Sequence, residues 1–495
     1  MSIDTRLIVV SNRLPFRIVE SEGALSIERS SGGLVSALLP LFKRNGGCWI
    51  GWPGTSYSAE IEQIVSAQHG SNYSLRPVFL TAEEKECFYH GYCNEIIWPL
   101  FHDLQSKCTF DPRYWVSYRE ANDKFAHSTA QVAQKDDFIW VHDYHLMLLA
   151  RALRARSLRN EIGYFHHIPF PQPDIFEKLP WRIEIARALL RFDSIGFQTE
   201  RDRRNFLTCV RRFVPEAHVQ KSNGRVVIQS DGTYTVVGTY PIGIDFEDFA
   251  TRAAEKSVTD RAHEIRQEFP DCRLIIGVDR LDYTKGVIQR LLGLRTLLRS
   301  DRTWLRRVQM VQVVVPSREE IPEYRQLREQ IENLIAEMNA EFGDSRWVPV
   351  KYVHGSLSRP ELLALYRAAD IALVTPLKDG MNLVAKEFCA VRVDEGGVLV
   401  LSEFAGAAAE LSCGALLINP YDSQGIAAAL SKGLQMSRDQ QQVRMQRMRE
   451  VVGHNNIFDW CRAVCALESP LLRQGRRPGN LQLPGRMAQY AARAV

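Results

Sequence analysis

The 495-residue sequence lacks several features that mark specialised classes of protein. No apolar run approaches the roughly 18 residues that a membrane-spanning helix needs, and Met1 to Val10 run straight into a strand-like segment rather than a signal sequence. The net charge is only +4, and both signs are interspersed along the chain. The sequence therefore predicts no membrane partner, no export and no nucleic-acid partner.

Paired cysteines are also absent. The ten cysteines form no CxxC pair and no cysteine and histidine cluster at zinc spacing. Scattered cysteines of this kind favour reduced thiols and hence a cytoplasmic location. They are Cys48, Cys87, Cys93, Cys108, Cys209, Cys272, Cys389, Cys413, Cys461 and Cys465.

The sequence does contain a regular alternation of short apolar runs and amphipathic helical stretches. Such alternation predicts an α/β fold in which parallel sheets carry helices on both faces. The apolar runs lie at 7–10, 138–141, 194–197, 274–278, 311–315, 371–374 and 398–401.

The length of the chain favours two domains, because a single hydrophobic core stops growing well below this size. A Pro- and Gly-containing segment at 240–245 interrupts the pattern, and we place the boundary there. The expected domains are 1–245 and 246–450, followed by a helix at 451–468 packing back on the first domain and a flexible basic tail at 469–495. Ligands of parallel sheets bind beyond the carboxyl ends of the strands, so the expected site is a cleft between the domains.

Two segments have the residues to hold phosphate. Gly32 and Gly33 precede a helical stretch whose N-terminus would favour an anion, although a Gly-Gly pair by itself is more often a plain turn. Arg280 and Lys285 follow the strand at 274–278, with Gly286 closing the loop. Two cations at a strand end can hold a diphosphate without a metal, but they could also be solvated charges of a surface loop.

A third segment, at 377–387, follows the strand at 371–374 and opens a helix. Asp379 and the turn at Gly380 lie at the strand end, the first amides of the helix would face a ligand, and Glu387 follows about two turns later. This loop could bind sugar hydroxyls, phosphate and ribose together. Alternatively, Asn382 is simply an N-cap and Glu387 a solvated helix residue.

In the first half of the chain, histidines and an aspartate follow two strands. His142, Asp143 and His145 follow the strand at 138–141, and His167 follows another near Tyr164. The HxxH spacing of His142 and His145 suggests a metal, but no third ligand pattern accompanies it. We expect neither a metal nor another cofactor.

In their order along the chain, these segments closely resemble the trehalose-6-phosphate synthase family, retaining glycosyltransferases of the GT-B architecture. The resemblance covers approximately residues 5–465. It rests on SNRLP at 11–15, SSGGL at 30–34, WIGWPG at 49–54, WPLFH at 98–102, WVHDYHLM at 140–147, HIPFP at 167–171, YPIGID at 240–245, DRLDYTKG at 279–286, VPSR at 315–318, LKDGMNLVAKE at 377–387 and LSEFAGAA at 401–408.

The resemblance implies two Rossmann-like, doubly wound domains facing a cleft, and transfer of glucose from UDP-glucose to glucose 6-phosphate with retention. UDP-glucose is then a substrate and not a cofactor. In the donor site, Asp379 would bind glucose hydroxyls, Glu387 the ribose, and Leu357 would lie beside the uracil. The implied donor residues are Gly32, Gly33, Arg280, Lys285, Leu357, Asp379, Gly380, Met381, Asn382, Leu383, Val384, Ala385, Lys386 and Glu387.

For the acceptor, the resemblance implies that two arginines hold the 6-phosphate and that Asp143 binds a sugar hydroxyl. The implied acceptor residues are Arg13, Tyr89, Trp98, Asp143 and Arg318. The working mechanism is front-face displacement, in which the leaving diphosphate takes the proton of the incoming hydroxyl. The implied catalytic residues are Arg280, Lys285, His167 and Asp379, with His167 bonded to the donor sugar rather than acting as a general base.

Other activities remain open at this stage. Leu357 stands where several relatives carry a larger aromatic residue beside the uracil, so the base of the nucleotide is less strictly specified. UDP-glucose is the first expected donor, and GDP-glucose or ADP-glucose are the alternatives. The same fold could use glycerol 3-phosphate as acceptor, or the chain could be a non-catalytic subunit that senses sugar phosphate. No phosphatase region is apparent, so a separate trehalose-6-phosphate phosphatase is a possible partner. From the family resemblance, we also expect the chain to form a homo-oligomer.

Overall fold

The computed structural model describes residues 6–21, 24–29, 35, 38, 42, 46–67, 73–222, 225–269, 271–318 and 321–465. Contacts divide the chain into two units, Met1–Tyr240 with Cys461–Val495, and Pro241–Trp460. The division falls in the segment 240–245 that interrupts the sequence pattern. A search of the described helices finds none with both the length and the apolar character to span a membrane.

The first unit is built on a large, mostly parallel sheet. Its strands are β1 (Leu7–Arg13), β4 (Gly47–Trp52), β5 (Tyr73–Pro77), β6 (Phe138–His142), β7 (Glu161–His166), β8 (Ser194–Phe197), β9 (His218–Ser222), β10 (Arg225–Ser230) and β11 (Thr233–Thr239). Within the described residues, these nine strands lie in the order β5-β4-β1-β6-β7-β8-β11-β10-β9. A separate hairpin joins β2 (Phe16–Ser21) and β3 (Ala24–Arg29).

One edge of this sheet departs from the all-parallel prediction. Strand β10 pairs antiparallel with both β9 and β11. The two residues between β10 and β11 are Asp231 and Gly232, with φ of 47° and 73°. An Asp-Gly pair with two positive φ angles is typical of the type I′ turn, which reverses a strand tightly. The edge is therefore a hairpin.

Helices cover the first sheet. The segment Lys85–Ile97 is a π-helix, and the N–H of Trp98 at its end bonds to the carbonyl of Cys93, five residues earlier. Short 3₁₀ turns lie at Gln105–Lys107 and Tyr144–Leu146. The α-helices are α1 (Ala59–Ala67), α2 (Ala82–Glu84), α3 (Trp98–Phe101), α4 (Pro112–Val132), α5 (Leu149–Ala155), α6 (Pro173–Phe176), α7 (Arg182–Leu189) and α8 (Glu200–Phe213).

The second unit has a parallel sheet with apolar residues on both faces. Its strands are β12 (Arg273–Arg280), β13 (Val308–Val315), β14 (Val350–His354), β15 (Ile371–Val374), β16 (Val398–Ser402) and β17 (Leu416–Ile418). In the described part of the chain they lie in the order β14-β13-β12-β15-β16-β17. Along β12, Leu274 and Ile276 join one hydrophobic cluster and Ile275 joins another, as expected for a strand covered on both faces.

The helices of the second unit alternate with its strands. The single helix expected at 451–468 is divided, because one helix ends at His454 and the next begins at Ile457. This last helix begins in the second unit and ends in the first, since the division falls between Trp460 and Cys461. The α-helices are α9 (Phe246–Ala254), α10 (Lys256–Glu268), α11 (Val287–Ser300), α12 (Pro322–Phe342), α13 (Arg359–Ala368), α14 (Leu383–Val391), α15 (Ala408–Leu411), α16 (Ser423–Leu434), α17 (Arg438–His454) and α18 (Ile457–Cys465). The predicted α/β class and every predicted strand are confirmed.

Candidate functional site

The loop after β12 carries Arg280 and Lys285. Arg280 is the last residue of the strand and is exposed. The carboxylate of Asp282 accepts the N–H of Thr284 at 3.0 Å and starts the 3₁₀ turn that contains Lys285. Gly286 follows with φ of 62°, and a Cβ at this position would overlap the carbonyl oxygen of Thr375. The loop is thus held against the end of β15.

Lys285 and Asp379, from two different loops, form an ion pair. Lys285 Nζ lies 2.6 Å from Asp379 Oδ2, and the two side chains are 15% and 8% exposed. The other oxygen of Asp379 accepts the N–H of Met381 at 3.3 Å, and its backbone forms a bridge with Ala405. The fold therefore brings together a predicted diphosphate ligand and a predicted sugar ligand.

Asp282 is a site residue that the sequence analysis did not single out. Arg318 Nη1 lies 4.0 Å from Asp282 Oδ2 and donates to the hydroxyl of Tyr324 at 2.7 Å. Burial raises the pKa of Asp282, but the positive charges of Arg318, Lys285 and Arg280 lower it by more than burial raises it. The pKa of Asp282 therefore lies below its ordinary value. Asp282 stands between the cations in the DRLDYTKG motif, which was the available signal. The charges of three predicted phosphate ligands of the second unit therefore act on this carboxylate.

The N-terminus of α14 meets the same loop. Asn382 has φ of 80°, and its side-chain oxygen accepts the N–H of Ala385 at 3.1 Å while its amide donates to Asp379 Oδ2 at 3.3 Å. The N-cap interpretation of Asn382 is confirmed. The N–H groups of Leu383 and Val384 stand at the positive end of this nine-residue helix, where an anion is favoured.

Three other members of the predicted donor set are buried within the unit. The carbonyl of Gly380 lies so close to Gly406 that a Cβ on Gly406 would overlap it, and Ala385 belongs to the hydrophobic core. Lys386 Nζ contacts the carbonyl of Ile242 at 2.7 Å and Glu410 Oε2 at 2.5 Å, with a side chain only 3% exposed. These two contacts commit the Lys386 ammonium to the fold, so only the backbone of Lys386 is left for the donor role that the resemblance implies.

Glu387 has an unusual electrostatic environment. The Tyr366 hydroxyl donates to Glu387 Oε2 at 3.4 Å. Burial raises the pKa of Glu387 to about 7, although Tyr366 and Arg359 act in the opposite direction. Glu387 can therefore change charge near neutral pH.

Leu357 lies between β14 and α13 and is half-buried against the hydrophobic core.

In the first unit, the Arg13 guanidinium lies against two neighbouring aromatic rings. Its guanidinium carbon lies 3.9 Å from the ring centre of Trp52 and 5.2 Å from that of Tyr89. Gly54 has φ of 97°, and a Cβ there would overlap the Arg13 guanidinium. Stacking on aromatic faces fixes the plane of a guanidinium and leaves its edge for an anion. Trp52 was not predicted individually, although it lies in the WIGWPG motif.

Tyr89 and Trp98 belong to one chain of aromatic rings. Tyr89 lies on the π-helix, where its ring meets Trp52 edge-on at 5.5 Å and stacks on His145 at 6.2 Å. The ring centre of Tyr144 lies 4.0 Å from that of His145 and 5.9 Å from that of Trp98. Arg13, Tyr89 and Trp98 are thus connected within this unit, as the acceptor assignment requires.

Asp143 and His167 connect the ends of β6 and β7. Asp143 has φ of 73°, and its Oδ1 accepts the backbone N–H of His167 at 3.2 Å. His167 Nε2 lies 3.1 Å from His142 Nδ1, and its Nδ1 lies 3.2 Å from Gln198 Nε2. Burial, followed by the neighbouring His166, lowers the pKa of His167 to about 3. Because Gln198 Nε2 is a donor, His167 Nδ1 accepts from it and His167 Nε2 carries the proton that it donates to His142 Nδ1. The expected bond from this imidazole to the sugar would therefore require it to exchange a partner.

Two further predictions concern glycines and metals. Gly32 and Gly33 lie outside the described residues. Among the residues that the structure describes, no group of three or more His, Cys, Asp or Glu side chains could hold a metal ion. Within the HxxH pair, His142 Nδ1 lies 3.1 Å from His167 Nε2.

Comparison with known proteins identifies the family. The sequence model of glycosyltransferase family 20 matches residues 5–467. The chain belongs to this family. Among its relatives is the UDP-forming α,α-trehalose-phosphate synthase of Candida albicans, which is 39% identical over 451 residues, 90% of this chain and 93% of the relative.

Solved structures agree with this membership. A UDP-forming α,α-trehalose-phosphate synthase from Burkholderia xenovorans in complex with glucose-6-phosphate has a TM-score of 0.85 and 34% identity, over 94% of this chain and 100% of that chain. An E. coli structure with bound UDP-2-fluoro glucose has the same TM-score and identity, over 94% and 99%. The predicted GT-B class of fold, with two Rossmann-like units, is confirmed.

Proposed function

We propose that this family 20 glycosyltransferase is a UDP-forming trehalose-6-phosphate synthase. It transfers glucose from UDP-glucose to glucose 6-phosphate with retention of configuration. The observation that carries this proposal is the cluster of charged side chains after β12, β13 and β15. Lys285 Nζ lies 2.6 Å from Asp379 Oδ2, Arg318 Nη1 lies 4.0 Å from Asp282 Oδ2, and Arg280 ends β12. Transfer of glucose from a nucleotide diphosphate to a sugar phosphate needs cations for the donor diphosphate and for the acceptor phosphate, and this cluster supplies cations of both kinds.

The donor part of the proposal assigns each group a chemical task. Arg280, Lys285 and the N–H groups of Leu383 and Val384 bind the diphosphate, because cations and helix N-termini both favour anions. Asp379 accepts hydrogen bonds from glucose hydroxyls, with its carboxylate oriented by Lys285. Glu387 binds the ribose and Leu357 packs beside the uracil. UDP-glucose is the proposed donor, ahead of GDP-glucose and ADP-glucose.

The acceptor part rests on Arg13, Trp98, Tyr89, Asp143 and Arg318. Arg13 and Arg318 bind the 6-phosphate, since a guanidinium offers paired, charge-assisted hydrogen bonds to phosphate oxygens. The rings of Tyr89 and Trp98 provide apolar faces for the sugar. Asp143 binds a hydroxyl of the acceptor glucose.

The proposed reaction is a front-face displacement. The bond between the anomeric carbon and the diphosphate oxygen breaks, the acceptor hydroxyl oxygen bonds to the same face, and its proton passes to the departing diphosphate. Catalysis then consists of positioning and of stabilising the charge on the leaving group through Arg280 and Lys285. Burial lowers the pKa of His167 to about 3. Its imidazole is therefore too weak a base to remove the proton of the acceptor hydroxyl at neutral pH.

The proposal extends to partners and conditions. The reaction proceeds without a metal or other cofactor, the product is dephosphorylated by a separate phosphatase, and the chain forms a homo-oligomer in the cytoplasm. These statements rest on the family resemblance and on the chemistry of the assigned residues.

The test is to incubate the purified chain with UDP-glucose and glucose 6-phosphate, with glycerol 3-phosphate in a parallel reaction. UDP release is followed, and products are identified by mass and by reducing-end assay. A phosphorylated, non-reducing disaccharide in the first reaction alone supports the proposal. Turnover with glycerol 3-phosphate alone contradicts the acceptor assignment, and no turnover with any nucleotide sugar contradicts the enzymatic activity.

A further inference from the structure

One arginine of the second unit lies wholly beneath the loops that carry the proposed ligands. Arg290, on α11, is 0% exposed. Its guanidinium makes three bonds, 2.6 Å to Asp279 Oδ2, 3.1 Å to Gln312 Oε1 and 3.2 Å to Thr375 Oγ1. All three of its nitrogens bond inside the protein, and the side chain has no exposed surface through which it could reach a ligand directly.

The three partners stand on three neighbouring strands. Asp279 lies in β12, immediately before Arg280 and the loop of Lys285. Gln312 lies in β13, and the chain beyond that strand leads to Arg318. Thr375 directly follows β15 and leads into the loop of Asp379. A single planar group thus joins the bases of the loops that carry Arg280, Lys285, Arg318 and Asp379.

Backbone contacts tighten the same region. The N–H of Arg290 and the hydroxyl of Thr375 both donate to the carbonyl of Gly286, each at 3.0 Å. A Cβ on Gly277 would overlap the side chains of Arg290 and Gln312. The arginine is therefore enclosed by the loop that ends at Gly286 and by two strands, with little room to adopt another rotamer.

Stability alone does not explain a buried ion pair at this place. Removing two charges from water is unfavourable, and apolar residues of similar volume commonly serve a core equally well or better. What an apolar side chain cannot do is fix three strand ends at defined distances through a rigid fork of donors. The location of Arg290 beneath the ligand loops matches that property.

We propose that Arg290 is a positioning residue for the diphosphate site, acting with Asp279, Gln312 and Thr375. It sets the spacing of Arg280, Lys285, Arg318 and Asp379, and does not touch substrate. This inference rests on the proposed function, since the groups that it positions are the proposed ligands of UDP-glucose and glucose 6-phosphate. A displacement of about 1 Å in such ligands can reduce turnover by up to roughly a hundredfold.

A mild test uses Thr375. Thr375→Val keeps the shape of the side chain and removes the hydroxyl that bonds to Arg290 and Gly286, whereas Thr375→Ser keeps the hydroxyl. Calorimetric titration of UDP into the full-length chain gives Kd and stoichiometry, and steady-state kinetics gives kcat and KM. We expect Thr375→Val to raise the UDP Kd by about tenfold at unchanged stoichiometry, with kcat also reduced, and Thr375→Ser to restore both.

A stronger test removes the ion pair as a unit. The double variant Arg290→Met with Asp279→Asn removes both charges and leaves no buried charge uncompensated. The matched control is Arg266→Met, because Arg266 Nη1 bonds to Asp370 at 2.9 Å and its Nη2 to the carbonyl of Cys272 at 3.2 Å. Those two residues precede β15 and β12, so Arg266 joins the opposite ends of the same strands.

The outcomes separate positioning from a general role in stability. The inference predicts that the Arg290 and Asp279 variant binds UDP at full stoichiometry with a Kd raised about tenfold or more, while Arg266→Met changes the unfolding temperature and not the Kd. An unchanged Kd in a folded double variant overturns the inference. Reduced stoichiometry with unchanged Kd also overturns it, because that result means only fewer folded molecules.

The decision does not depend on the double variant folding. If that variant fails to fold, equal UDP affinity in Thr375→Val and Thr375→Ser overturns the inference, and a difference between them supports it. Failure of the proposed function is distinguishable, because the unmodified chain would then bind no UDP. If the unmodified chain binds UDP and Thr375→Val binds it equally well, the inference fails while the function stands.

Discussion

The ion pair between Lys285 and Asp379 yields a sharp prediction for Lys285→Ala. The ammonium lies 2.6 Å from the carboxylate, and both side chains are largely buried, at 15% and 8% exposure. Deletion of the lysine removes a charge that stabilises the departing diphosphate, which should raise the barrier by roughly 2 to 4 kcal/mol and lower kcat about 30- to 1000-fold. It also removes the Lys285 contact of the largely buried Asp379 carboxylate, at a cost of about 3 kcal/mol in stability.

The two effects can be measured separately. The double variant Lys285→Ala with Asp379→Asn removes the uncompensated charge, so its free energy of unfolding in urea should recover most of the loss while kcat stays low. Initial rates of UDP release at saturating substrates give kcat, and circular dichroism follows unfolding. If Lys285→Ala keeps more than half of the original kcat, leaving-group stabilisation by this lysine is wrong. If the double variant recovers kcat along with stability, the lysine acts only by neutralising Asp379.

Three further predictions follow from the site. Because the pKa of Glu387 is raised from 4.5 to about 7, the native state holds an extra proton between those values. Its stability should therefore fall relative to Glu387→Gln as pH rises through this range, by at most about 3 kcal/mol; the urea midpoint at pH 5 and pH 8 tests this, and equal pH profiles contradict it. Gly54→Ala should displace Arg13 and raise KM for glucose 6-phosphate about tenfold or more with little change in KM for UDP-glucose, and equal rises in both contradict it. EDTA should leave the initial rate unchanged, and a loss restored by Mg²⁺ would contradict the metal-free mechanism.

The strand positions could be predicted from sequence because parallel strands buried on both faces appear as continuous apolar runs. The run at 371–374 corresponds to β15 without change of bounds, and the run at 194–197 corresponds to β8. The antiparallel edge of the first sheet was missed even though Asp231 and Gly232 signal a hairpin. The prediction extended the parallel pairing of the central strands to this edge. There the turn at Asp231 and Gly232 reverses the chain and makes the pairing antiparallel.

The site was predictable to the level of loops. Polar residues after buried strands lie at one edge of a parallel sheet, so Lys285 and Asp379 were expected near each other, and their side chains do meet. Asp282 was missed although it lies inside a quoted motif. An acidic residue among cations suggests a surface ion pair in a sequence, and only its burial between Arg318 and the Lys285 turn shows that the charges of the cations act on it.

Side-chain direction is the part that the sequence could not supply. Lys386 and Glu387 are adjacent on one helix, so a motif assigns both to the ligand, yet the Lys386 ammonium pairs with Glu410, which lies beyond the next strand. His167 is similar, because its imidazole bonds to His142 and to Gln198, and Gln198 belongs to no motif that we recognised. In each case the decisive partner is distant in the chain and shares no periodicity with the residue. Such partners determine whether a polar side chain serves the ligand or the fold. Arg290 emerges only from the structure for the same reason, because it is fully buried and bonds to Asp279, Gln312 and Thr375 on three neighbouring strands.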